Sequence, residues 1–175
     1  QAQDGRIAYG GVAIEEIGLE QVRDAVAVVL QHPALFNDTV RANLCVGRER
    51  SDQQCWQALQ IAQLRETIAA LPDGLDSIVG RAGVRLSGGQ RQRLAIARMV
   101  LADPKVVILD EATAEAVSAE SRDLERAALA AIRGRTALVV AHRLSQAEGA
   151  DAIAVLSHGR LVELGTHDDL LARNG

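Results

Sequence analysis

Three uninterrupted apolar runs, each of strand length and each closed by a polar residue, constrain this chain more than any other feature. They are Ala25-Val-Ala-Val-Val-Leu30 before Gln31, Val106-Val-Ile-Leu109 before Asp110, and Thr136-Ala-Leu-Val-Val-Ala141 before His142. A strand that is apolar on both alternating faces is buried from both sides, the habit of parallel sheets lying between helices. Helical patterns separate the runs. Ser51-x-x-Gln54 is a capping-box start, followed by Trp56, Leu59, Ile61 and Leu64 as an apolar face. A second helix runs from Leu86-Ser-Gly-Gly-Gln90 to about Leu101 and is stopped by Asp103-Pro104; a third spans 118–133, with Leu124 and Leu129 among its apolar positions. The pattern predicts an α/β fold: a parallel sheet with helices on both faces, interrupted by a largely helical insertion.

Weaker signals fill in the ends. Segment 6–14 reads as two short strands around Gly10-Gly11, and Pro72-Asp73-Gly74 as a turn. Segments 152–156 and 160–164 read as two more buried strands joined at His158-Gly159. A closing helix starts at Thr166, with Asp169 completing a capping box. No internal repeat, low-complexity tract or linker divides the 175 residues, a length that suits one domain.

Composition removes several function classes. With 48% hydrophobic residues the chain is not disordered, and no stretch approaches the roughly 18 apolar residues of a membrane span. A net charge of −4 and an aromatic content of 2% argue against a surface that coats or stacks on nucleic acid. Cys45 and Cys55 have no metal-ligand spacing and form no disulfide framework; they read as buried thiols of a reducing compartment.

The chemistry-bearing residues sit at the ends of the strands and at one helix start. Asp110-Glu111 closes a buried parallel strand, where open α/β sheets bind their ligands. Two adjacent acids there suit Mg²⁺-nucleotide hydrolysis, one ordering the metal and its water, the other acting on the attacking water. Ser87-Gly88-Gly89 at a helix N-terminus offers amides, a hydroxyl and the positive end of the helix dipole to an anion. His142 and Gln31 each close another strand. Taken singly, each has a structural reading as well: a solvated acidic turn, a tight turn, a packed histidine.

Their order and spacing resemble the ATP-binding cassette (ABC) family of ATPases along essentially the whole chain. Gln31 is similar to the family's Q-loop glutamine and Leu86-Ser87-Gly88-Gly89-Gln90 to its signature motif. Asp110-Glu111 resembles the Walker B pair, and His142 the switch histidine. Leu35-Phe36-Asn37-Asp38-Thr39-Val40-Arg41-Ala42-Asn43-Leu44 and Leu71-Pro72-Asp73-Gly74-Leu75-Asp76 resemble the exporter type. The resemblance implies a P-loop NTPase-like core over 1–36 and 102–175, with an ABC-type helical subdomain over 37–101. It implies ATP and Mg²⁺ as cofactors, with Gln31 and Asp110 toward the metal (Asp110 through water), Glu111 and His142 catalytic, and Leu86 to Gln90 against nucleotide. It also implies two partners, a second ABC ATPase domain and the transmembrane domains of an exporter. The expected location is the cytoplasmic face of the cell membrane.

Three departures from the family pattern stand out. No Gly-x-x-x-x-Gly-Lys-[Ser/Thr] loop occurs, and the single lysine, Lys105, follows Asp103-Pro104. The resemblance therefore implies a partial domain that starts after the P-loop helix and lacks the P-loop strand. Ala114-Glu115-Ala116-Val117 stands where relatives carry Ser-Ala-Leu-Asp, and Arg81 stands where they carry a glutamate. Two readings follow: the ATP-hydrolysing component of an exporter, or a catalytically incompetent half that lends its signature motif to a partner's site, an inactive remnant being its limiting form. Chromosome-maintenance ATPases are a distant third, since 37–86 shows no heptad pattern.

Overall fold

Residues 5–110, 119–141 and 144–173 are described by the structure, a computed structural model. The chain enters through a small antiparallel pair, β1 (Ala8–Tyr9) with β2 (Val12–Ala13), around Gly10-Gly11. Two short helices, α1 (Ile14–Ile17) and α2 (Leu19–Ala25), lead directly into β3 (Val26–Val29). A helical region follows: α3 (Val40–Cys45), α4 (Asp52–Ile61), α5 (Arg65–Ala69) and α6 (Gly88–Ala102). It also holds a short antiparallel pair, β4 (Asp38–Thr39) with β5 (Ile78–Val79). The chain then alternates through β6 (Val106–Asp110), α7 (Ala119–Ile132), β7 (Thr136–Val140) and α8 (Leu144–Ala147). It closes with β8 (Ile153–Ser157), β9 (Arg160–Gly165) and α9 (His167–Ala172).

The predicted α/β class holds. β3, β6 and β7 form a parallel sheet in that order, with Val29 opposite Leu109 and Leu109 opposite Val139. One face of this sheet buries Val29, Val107 and Leu109. The hub beneath it is α6, which packs on β3, α3, α4 and α7 and buries the run Arg93 to Ala97 together with Met99. Leu44, Leu59, Leu64, Ile68, Leu94 and Ile96 are fully enclosed around it. Each such side chain contributes roughly 1.5–3 kcal/mol relative to exposure.

Local chemistry sets the boundaries of these helices. Ser51 with Gln54, Ser87 with Gln90 and Thr166 with Asp169 all form complete capping boxes, two of them at starts read from sequence as such. Helix α6 ends where Asp103 turns left-handed (φ 48°) before Pro104, which cannot continue a helix. Arg135 locks that corner, donating to the Asp103 carboxylate (2.7 Å), the Pro104 carbonyl (3.2 Å) and the Ala131 carbonyl (2.7 Å).

Several expectations need correction. The pair β4–β5 was not foreseen inside the helical region, because two-residue strands carry no period. Ile61 and Leu129 do not belong to the buried faces of their helices; they are 36% and 56% exposed. The run Thr136–Ala141 forms a strand, but all five residues of β7 are exposed: among the described residues it pairs with β6 alone. The last two strands are not buried either. β8 and β9 pair antiparallel with each other as a separate hairpin, connected at His158-Gly159, and lie mostly open to solvent. Finally, on the face opposite α6, the in-register row Val28, Ile108, Leu138 leaves Val28 and Leu138 more than half exposed among the described residues.

Candidate functional site

The carboxyl edge of the parallel sheet collects the strand-closing residues. Val29 pairs with Leu109, so Asp110, the last residue of β6, lies level with Leu30, and Gln31 follows one position further on at the same edge. Gln31 and Asp110 are both half-buried. Asp110 lies opposite Val140 of β7, whose continuation leads to position 142. Glu111, His142 and the segment Ala114 to Val117 lie outside the described residues.

The signature segment is built as a helix start. Ser87 is the N-cap of α6: its hydroxyl accepts from the Gln90 amide (3.2 Å), and its own amide donates to Gln90 Oε1 (2.8 Å). Leu86 is buried, and its carbonyl accepts from the Arg91 guanidinium at 2.8 Å. Gly88 is exposed, and a Cβ placed there would meet only an Arg91 nitrogen, at 3.9 Å. Nothing in the chain's own packing asks for glycine at 88. Gly88 thus begins a 15-residue helix at its positive end, where the capping box already satisfies the Gln90 amide.

A hydrogen bond joins this helix to the sheet edge. Gln92 Nε2 donates to the Gln31 carbonyl at 2.8 Å, linking positions 61 residues apart. Gln92 carried no sign of this bond in sequence beyond its place two residues after the signature. A second anchor holds the stretch that follows. Fully buried Asn43 accepts from the Phe36 amide (2.9 Å) and donates to the Phe36 and Thr39 carbonyls, both at 3.0 Å. Arg98 of α6 in turn donates to the Asn43 carbonyl (2.7 Å) and stacks over the Phe36 ring, 5.7 Å from its centre. Segment 31–38 is thus tied to α6 both directly and through Asn43. Beside it lies an open groove of about 530 Å³, bounded among others by Ala27, Leu30, Phe36, Cys45 and Met99.

The loop ahead of α6 touches the same segment. The Ala82 amide donates to Asn37 Oδ1 at 2.8 Å, and a Cβ at Gly83 would fall 2.2 Å from the Ile78 carbonyl oxygen. Arg81, the departure from the exporter pattern, is exposed on this loop. Deeper in, Arg93 is 5% exposed; it donates to the Gln63 carbonyl (3.0 Å) and faces Asp123 of α7 at 3.6 Å. Arg41 clamps the helical region by bonding Asp76 through two nitrogens (2.8 and 3.2 Å) and also Asp52, and those carboxylates raise its pKa further.

As a metal site, the described residues hold no cluster of three or more His, Cys, Asp or Glu. Gln31 and Asp110 offer hard oxygen donors on adjacent strands, the type Mg²⁺ takes when most of its other ligands are water or phosphate. No helix among the described residues is long and apolar enough to cross a membrane.

A parallel α/β sheet whose carboxyl edge carries Gln31 and Asp110, with Gln31 hydrogen-bonded to the glycine-rich helix α6, belongs to the class of open α/β folds that bind ligands at that edge. Residues 1–114 match the family model for the ABC transporter, and the chain belongs to that family. It is 48% identical over 98% of its length to an ATP-dependent lipid A-core flippase of Cupriavidus pinatubonensis (strain JMP 134 / LMG 1197). It is 47% identical, again over 98%, to one of Burkholderia orbicola (strain AU 1054). The chain spans only 30% and 29% of the length of these two curated relatives. Among solved structures it is similar to a bacterial Atm1-family ABC exporter with ATP bound, with a TM-score of 0.87 and 39% identity, over 99% of this chain and 30% of that one.

Proposed function

We propose that this chain is part of the ATP-binding domain of an exporter-type ABC transporter, with 37–101 as its helical subdomain and 1–36 and 102–175 as portions of the α/β core. In this reading ATP lies between two such domains, each signature helix facing the other's nucleotide. Ser87, Gly88, Gly89 and Gln90 present the start of α6 to a phosphate, with Leu86 buried behind them as the anchor. The observation that carries the reading is the open approach over Gly88 combined with the Gln92–Gln31 bond. A ligand approaching Gly88 would meet little beyond the Arg91 side chain, and the same helix is tied to Gln31 at the sheet edge. Gln31 and Asp110 are the groups assigned to Mg²⁺, which supplies charge neutralisation at the transferred phosphoryl group. Glu111 orients and deprotonates the attacking water, and His142 holds the phosphate side of the same site.

The assigned partners are a second ABC ATPase domain and transmembrane domains, and the assigned place is the cytoplasmic face of the membrane. From the relatives' role as lipid A-core flippases we assign a lipid of that class as the cargo. Nucleic acid is not among the partners.

The test is a chimaera. This chain replaces the matching segment of the Cupriavidus flippase, and ATP hydrolysis is measured in reconstituted vesicles. The expected result is turnover that Glu111→Gln abolishes while ATP binding persists. A folded, membrane-inserted chimaera without turnover overturns the reading in favour of an incompetent half.

A further inference from the structure

The two cysteines, ten positions apart, are brought together by the fold. Cys45 is the last residue of α3 and Cys55 lies in the first turns of α4, and their sulfurs are 3.8 Å apart. Both are free thiols. A disulfide needs an S–S distance near 2.05 Å, so the remaining gap of about 1.8 Å falls within reach of side-chain rotation and a slight approach of the two helices. Their environments differ. Cys55 is fully buried, whereas Cys45 is half-buried and opens on a surface depression of about 750 Å³ that it shares with Arg41, Arg48, Arg50, Asp38 and Glu49. Arg41 and Arg48 are paired to carboxylates, while Arg50 hydrogen-bonds the Leu101 and Glu49 carbonyls.

We propose that Cys45 and Cys55 form a redox-active dithiol that takes a small-molecule disulfide as its oxidant and closes a covalent staple between α3 and α4. Cys45 is the attacking sulfur. Its thiolate displaces one thiolate from the small disulfide and leaves a mixed disulfide on Cys45. Cys55 then gives its proton to the first expelled thiolate and attacks the Cys45 sulfur, expelling the second small thiolate. In balance, two protein thiols are oxidised, one small disulfide is reduced to two thiols, and one protein S–S bond forms. Burial pushes the Cys55 thiol up to about 11, which suits a resolving group that reacts second rather than first. The staple closes over residues 46–54 and fixes Cys45, a wall residue of the groove beside segment 31–38.

The test is incubation of the chain with oxidised glutathione, acid quenching, alkylation and peptide mass mapping. The expected product is an intramolecular Cys45–Cys55 disulfide, with slowed amide exchange in α3 and a raised melting temperature. Cys55→Ala is expected to stop at a stable glutathione adduct on Cys45, and Cys45→Ala to react many-fold more slowly than the native chain. Two unmodified thiols, or a lasting glutathione adduct on the native chain, overturn the proposal. Should either variant fail to fold, mapping of the native chain decides alone.

Discussion

Gln92 and Gln31 meet through one hydrogen bond of 2.8 Å, side-chain amide to backbone carbonyl, and this bond attaches the glycine-rich start of α6 to the closing residue of β3. Because both partners are only half-buried, the bond can open and close without disrupting the core. Gln92→Ala is expected to lower stability by about 1 kcal/mol, the usual net value of one such bond. Urea denaturation of the two proteins checks this. In the chimaeric transporter, the same change is expected to weaken the dependence of hydrolysis on cargo more than hydrolysis itself.

Asn43 holds more. Replacing it with alanine removes the acceptor of the Phe36 amide and a donor to each of the Phe36 and Thr39 carbonyls, the former keeping the Asp38 amide, and Arg98 loses its 3.4 Å contact to Oδ1 while keeping the main-chain carbonyl. A loss of about 3 kcal/mol is expected, on the scale of unsatisfied buried polar groups. Asn43→Asp is expected to fall in between, since it keeps the acceptor and loses the donor. Thermal melts followed by circular dichroism distinguish the three proteins.

Two glycines of the same neighbourhood are expected to respond in opposite ways. Gly83→Ala drives a methyl group into the Ile78 carbonyl and is expected to cost about 2 kcal/mol or more. Gly88→Ala meets open space and is expected to leave stability unchanged or raise it by up to about 1 kcal/mol, since alanine is the better helix former. Yet in the chimaera, Gly88→Ala is expected to suppress turnover. A destabilised Gly88→Ala chain would show the glycine to be structural.

The C-terminal cap gives a pH signature. The Thr166 hydroxyl (2.8 Å) and amide (3.3 Å) both donate to the Asp169 carboxylate and hold its pKa below the ordinary value of 3.8. A carboxylate depressed in the folded state stabilises above its unfolded pKa, and that contribution disappears as pH falls through the folded value. The start of α9 is therefore expected to be constant from neutral pH to about 4 and to fray below it. Amide shifts of Thr166 and Asp169 report this, and Asp169→Asn is expected to flatten the profile.

What the sequence revealed and what it hid follow one physical line. Capping boxes at Ser51 and Thr166 were readable because their chemistry is local, whereas Ser87 read instead as a hydroxyl donor to an anion and proves to cap its own helix. The strands at 26–29 and 106–110 were readable because an apolar run has few other uses. Burial was not readable to the same degree: Thr136 to Val140 has the composition of a central strand yet pairs with β6 alone among the described residues, since strand order depends on partners far along the chain. Likewise Gln31 and Asp110 could be named as strand-closing residues, but the Gln92 bond and the approach of Cys45 to Cys55 are tertiary, and single residues carry no period that announces them.

The row Val28, Ile108, Leu138 has a thermodynamic consequence of its own. A second copy covering this apolar face would bind the folded state alone and make the melting point of the sheet a function of concentration. The melting temperature is expected to climb with protein concentration by a few degrees per decade, and Leu138→Lys is expected to abolish that slope. Light scattering alongside the melts identifies self-association as its source. For such a chain, stability is set by mass action, as affinity is for a ligand.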